Sequence, residues 1–179
     1  MIIDKKENTT MEITEQIKIA FTILNYNQGL IQFADGKANA LLLINSIFIA
    51  SMAPFIELAS KGLSKIGILL QIIFFVFSIL SILTSIGVIT TRKVPALERE
   101  NKGNLIFFGE IIQTNNPDGY IHEFNSLDAK KFQNTLLTNI FVISKIAASK
   151  YAIYNIAQLA TLISCILWII NLVFVICLK

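Results

Sequence analysis

Charge is scarce in this sequence. Only 15% of its 179 residues are charged, against about 25% in an ordinary soluble domain, while 54% are hydrophobic. A soluble chain of this length could hardly bury so much apolar surface, because small domains keep much of their area in water. The shortage of charge therefore excludes an ordinary water-soluble globule and points to the bilayer as solvent. The net charge of +3 is too small for bulk attraction to nucleic acid, so no nucleic-acid partner is expected.

Catalytic and metal-ligating residues are equally sparse. The single histidine, His122, sits beside Glu123 in an acidic loop with no evident nucleophile. The two cysteines, Cys165 and Cys177, share one apolar run; twelve residues apart on a helix they cannot form a disulfide, and no metal spacing surrounds them. There is no GxGxxG, P-loop, GxSxG or HExxH. Glu98 and Glu100 fall in "ALERENK", a solvated charged run. No enzyme, metal or cofactor is expected. The polar start, "MIIDKKENTTMEITEQ", lacks the basic end and apolar core of a signal peptide.

What the sequence has in plenty is uninterrupted apolar length. Charge-free runs cover 38–56, 66–91 and 151–178. Each approaches or exceeds the roughly 20 residues that cross a bilayer core about 30 Å thick. Lipid offers no partner to an unpaired backbone, so all three are expected to be helices. The reading is an all-α membrane protein, one domain over 1–179, with three transmembrane helices. A cytoplasmic amphipathic helix over 11–34 precedes them, and a cytoplasmic helical segment over 92–150 is continuous with the last span.

Orientation follows from Lys and Arg. The N-terminal part and the segment between spans two and three share a side and hold twelve basic residues; Lys61, Lys65 and Lys179 hold the other. The positive-inside bias puts the N-terminus in the cytoplasm and the C-terminus outside.

Thr9 with Glu12 fits a capping box, followed by an apolar stripe of Ile13, Ile17, Ala20, Leu24 and Ile31; Gly29 and Gly36 weaken this helix. "NLIFFGEIIQ" reads as a short strand or a buried helix, and in "NNPDGY" Asn116 caps a helix that Pro117 opens. Asn125 then caps a second stripe, Ala129, Phe132, Leu136, Ile140, Ile143, Ala147, Tyr151 and Tyr154. Neither Gly nor Pro occurs from Tyr120 onward, so one stiff helix is expected from about Leu127 to Leu178, roughly 78 Å long.

Polar residues inside the spans admit two readings. Gln71, Ser78, Ser81 and Ser85 mark one face of span two. Asn155, Gln158, Thr161, Ser164 and Asn171 spread more widely around span three. Such residues hydrogen-bond between helices, or line water in an oligomer. The second reading makes Gln71, Ser78, Ser81 and Ser85 pore-lining candidates. A single triplet leaves little room between its own helices, so a conducting form is expected to be a homo-oligomer. A proton relay is not expected, because no ionisable group lies within a span.

Three stretches carry a resemblance. "FADGKANALLL", then "LIFFGEI", then "NIFVISKIAASKYAIYNIA" resembles the transmembrane effector family of Pycsar anti-phage systems, to which membrane effectors of CBASS-type operons are related. The family's Asp-x-Lys-Ala element corresponds to Asp35, Lys37 and Ala38. Its Phe-Phe-Gly element corresponds to Phe107, Phe108 and Gly109, and its Lys-Tyr pair to Lys150 and Tyr151. The likeness covers residues 11–178, with Gly36 a mild departure, and no separate beta-roll nucleotide domain is visible. The resemblance implies a bacterial inner-membrane protein that answers a cyclic mononucleotide, cUMP or cCMP, from a partner cyclase. It further implies damage to the membrane and death of the cell before phage release. Asp35, Lys37, Phe107, Phe108, Lys150 and Tyr151 become ligand or switch candidates. From the local sequence alone, Asp35 could simply cap the first span while Lys37 snorkels to the headgroups. Two other functions fit the same body: a passive anchor or assembly subunit, and a holin-like protein or small transporter without ligand control.

Overall fold

The computed structural model describes residues 12–52, 65–91 and 116–177. Among these are four helices and no strand: α1 (Ile13–Ser51), α2 (Lys65–Thr90), α3 (Pro117–Asn125) and α4 (Ala129–Cys177). The all-α class agrees with the sequence reading, and α1, α2 and α4 are each long and apolar enough to cross a membrane. Thr9, the "NLIFFGEIIQ" stretch, and Phe107 and Phe108 within it lie outside the described residues.

α1 runs as one helix through Gly29 and Gly36, the glycines expected to weaken it. A Cβ at either would meet nothing within 4 Å, so neither glycine is there for close packing. The start of the long helix differs from the sequence reading. Asn125 ends α3, and the carbonyl of Asp128 accepts from Phe132 N at 2.9 Å, which puts Asp128, not Asn125, in the capping position of α4. At α3 the sequence reading stands: the Asn116 side chain accepts from Asp118 N at 3.0 Å, and Pro117 follows in the first turn.

Burial along the three long helices recurs every three and four residues. In α4, Leu136, Ile143, Lys150, Ala157, Ser164 and Asn171 fall seven apart and are buried or half-buried, with Ile140, Ala147, Tyr154, Thr161 and Trp168 interleaved. In α2 the buried set is Gly67, Gln71, Phe74, Ser78, Ser81, Ser85 and Val88. In α1, Leu24, Ile31, Ala38 and Asn45 keep the same spacing, and Met52 just past its end continues it. A 3.5-residue period is that of left-handed, knobs-into-holes packing.

The chain divides into two compact units. The first includes residues 1–29 and 94–145. Its described core is small and apolar: Ala20, Leu24 and Leu136, with Ile17, Ile140 and Ile143 against them. Asn27 donates to Ser144 Oγ at 2.7 Å, Gln133 to Gln16, and Phe132 packs on Phe21 and Phe124 at 6.2 Å each. The second unit, residues 30–93 and 146–179, is built the opposite way. Its interior holds Asn45, Gln71, Ser78, Ser81, Ser85, Lys150, Thr161, Ser164 and Asn171, while Leu43, Ile47, Ile72, Val76, Leu83 and Leu159 face outward. Water would punish that arrangement, because apolar surface is driven out of contact with it. Lipid rewards it: apolar side chains meet acyl chains, and polar or small ones join the helices.

Candidate functional site

The site is built where α1, the end of α2 and α4 converge within the second unit. Lys150 of α4 is fully buried, and its ammonium group has three protons to place. One goes to Asp35 Oδ1 of α1 at 2.6 Å. The others meet the carbonyls of Val88 and, at 3.4 Å, Ile89. Both carbonyls belong to the last turn of α2, where the helix supplies no donor of its own. The partial negative charge of that helix end adds to the attraction. Lys150 thus ties one helix by an ion pair and another by its backbone terminus. Ala34, Ala38, Val88 and Tyr154, from the same three helices, form a small buried core, with Tyr151 packed against it.

Asp35 lies deep inside α1, which rules out the capping role that the local sequence allowed: a mid-helix residue has no free amides beneath it. Its partner is Lys150 and not its near neighbour Lys37. The Lys37 ammonium instead sits over the rings of Phe33 (4.4 Å) and Tyr154 (5.4 Å), so it borders the lock through aromatic contacts. Of the six ligand or switch candidates, the structure gathers Asp35, Lys37, Lys150 and Tyr151.

Further along the seam lies a second polar centre. Asn45 Nδ2 donates to Ser81 Oγ at 3.0 Å and to Thr161 Oγ1 at 2.9 Å, so each of the three helices contributes one side chain. Ser81 and Thr161 bond each other, and whichever hydroxyl accepts in that pair donates to the carbonyl of Ala157. Asn45 is about 15 Å along α1 from Asp35, which puts this knot well inside the apolar length. Gln71, Ser78, Ser81 and Ser85, the pore-lining candidates, are buried in the seam between the helices of the single chain. Thr161, Ser164 and Asn171 share the seam, while Asn155 and Gln158 are exposed. At the other end Trp168 donates its indole N–H to Ser51 Oγ at 2.7 Å and stacks on Phe48 with centroids 5.5 Å apart. Nothing in the sequence pattern singled out that contact or the carbonyls of Val88 and Ile89.

Three membrane-length helices, apolar outside and polar inside, fastened by a buried lysine, define a multi-pass membrane protein with a charged lock. Family comparison gives the rest: residues 19–177 match the Pycsar effector protein domain, and the chain belongs to that family. It is a membrane effector of anti-phage defence, part of a cyclic-nucleotide signalling system in a bacterial membrane. Comparison with curated proteins and with solved structures gave no significant match.

Proposed function

We propose that the chain answers a cyclic mononucleotide, cUMP or cCMP, by opening the three-helix seam and impairing the inner membrane as a homo-oligomeric pore, so that the infected cell dies before phage release. The observation that supports this most is the Lys150–Asp35 lock. A phosphate is the natural competitor of a carboxylate for an ammonium group, and a freed Asp35 could accept from a ribose hydroxyl or base edge. Phe107 and Phe108 remain candidates for a base contact. No catalytic step is invoked, because the sequence carries no catalytic motif.

Liposome leakage tests the reading. Purified protein in vesicles should release a trapped dye when cUMP or cCMP is added and retain it with the linear monophosphates. Leakage of equal size without any nucleotide would favour the holin-like reading. No leakage under any condition would favour a passive anchor.

The proposed topology has its own check. Reporter fusions at residue 110 and after Lys179 are expected to report cytoplasm and periplasm respectively. The same side at both points would remove the three-span arrangement.

A further inference from the structure

Most hydroxyl groups in the membrane-length helices satisfy themselves on their own backbone: Ser46 on Leu42, Thr84 on Leu80, Ser164 on Ala160. Ser78 and Ser85 do not. Both are fully buried in the seam, and neither hydroxyl has a hydrogen-bond partner among the described residues. The carbonyl oxygen of the Asn45 amide, at the knot between them, is also buried without a partner. Three orphaned oxygens on one seam are a pattern, because buried polar atoms are nearly always paired. A group that supplies a donor here must be small and neutral, and able to donate and accept at once. Water fits, since a buried water typically makes about three hydrogen bonds to otherwise unsatisfied groups.

The order along α2 adds direction. Val88, whose carbonyl holds Lys150, stands at one end. Ser85, Ser81 and Ser78 follow at steps of about 4.5–6 Å, close enough for single waters to bridge. Phe74 comes next in the same register and is fully buried, an apolar plug beyond the last hydroxyl.

We infer that the seam of each single chain is a water-binding track running from the Lys150–Asp35 lock to Phe74, and that it conducts protons when the lock opens. This rests on the membrane-impairing function proposed above and names the first species to cross. Water chains carry protons by exchanging hydrogen bonds, so no ionisable residue is required along the track. Release of Lys150 at the mouth opens the track, and the Phe74 ring marks its far end.

The test is proton influx into vesicles of phosphatidylethanolamine and phosphatidylglycerol, on average with fewer than one copy of the full chain per vesicle. A trapped pH dye reports protons, and carboxyfluorescein reports larger leaks. Asp35→Asn should admit protons several-fold faster than wild type. Adding Ser78→Ala and Ser85→Ala should remove most of that gain, with helix content unchanged by circular dichroism. The same serine comparison is made on the wild-type background with cUMP or cCMP added, so the outcome does not depend on how Asp35→Asn folds. Proton influx that ignores the two serines overturns the inference, as does a failure of every trigger to speed influx at this density. Dye release only at many copies per vesicle, without proton influx at low density, keeps the oligomeric pore and removes the single-chain track. Retention of both probes at every density removes both.

Discussion

Asp35→Ala is expected to cost the second unit about 3–5 kcal/mol, because it leaves Lys150 charged and buried without its counter-ion. Thermal unfolding in detergent, followed by size-exclusion fluorescence, should show the loss directly. The sharper result comes from two double variants. Asp35→Leu with Lys150→Met removes both charges and should recover most of the stability, since burying an apolar pair avoids the desolvation of an ionic one. It should nonetheless abolish defence, because nothing is left for an anionic ligand to displace. The exchanged pair, Asp35→Lys with Lys150→Asp, should not recover stability. A carboxylate at position 150 would face the carbonyls of Val88 and Ile89, acceptor against acceptor, at the negative end of α2. Recovery by the exchanged pair would show that the ion pair alone matters and that the α2 terminus plays no part.

Leu136→Ala is expected to have the next largest effect, about 2–5 kcal/mol, the range for a buried leucine truncated in a packed core. Its described surroundings are few: Ala20 and Leu24, with Ile17, Ile140 and Ile143. Of the two other buried members, Ala20 is already small, so little remains to collapse into the space. Hydrogen exchange should quicken in α1 from Ile13 to about Gly29 and at the start of α4. Amides around the Asn45–Ser81–Thr161 knot should keep their protection, because that knot belongs to the other compact unit. Equal loss of protection at both places would show that the two units unfold as one.

Length and charge made the three long helices legible. Uninterrupted apolar runs leave little alternative to a helix, and Asn116 with Pro117 announces the start of a short one outside them. The seam was much harder to read. In a soluble helix the apolar stripe marks the buried face, so the eye follows leucine and isoleucine. Here Leu43, Ile47, Leu83 and Leu159 are the outside, and the inside is serine, asparagine, threonine and alanine at heptad spacing. The polar stripe of α2 was visible as a stripe; that it points into its own chain is a tertiary fact. Asp35 misled for a local reason. Flanked by Gly36, it looked like a helix boundary, whereas its true partner stands 115 residues away. Asn125 misled in a similar way, because two residues that can both cap lie within one short link and only packing chooses between them.

Trp168 gives the chain an internal optical gauge. It is the sole tryptophan of the sequence, and its indole bridges from α4 to Ser51 and Phe48 of α1. Indole emission responds to the loss of a hydrogen bond and of an aromatic neighbour. Any parting of α1 from α4 at that end is therefore written into the protein's own fluorescence, free of background from another fluorophore of its kind. The timing of seam opening against ligand arrival can be followed in unlabelled wild-type protein.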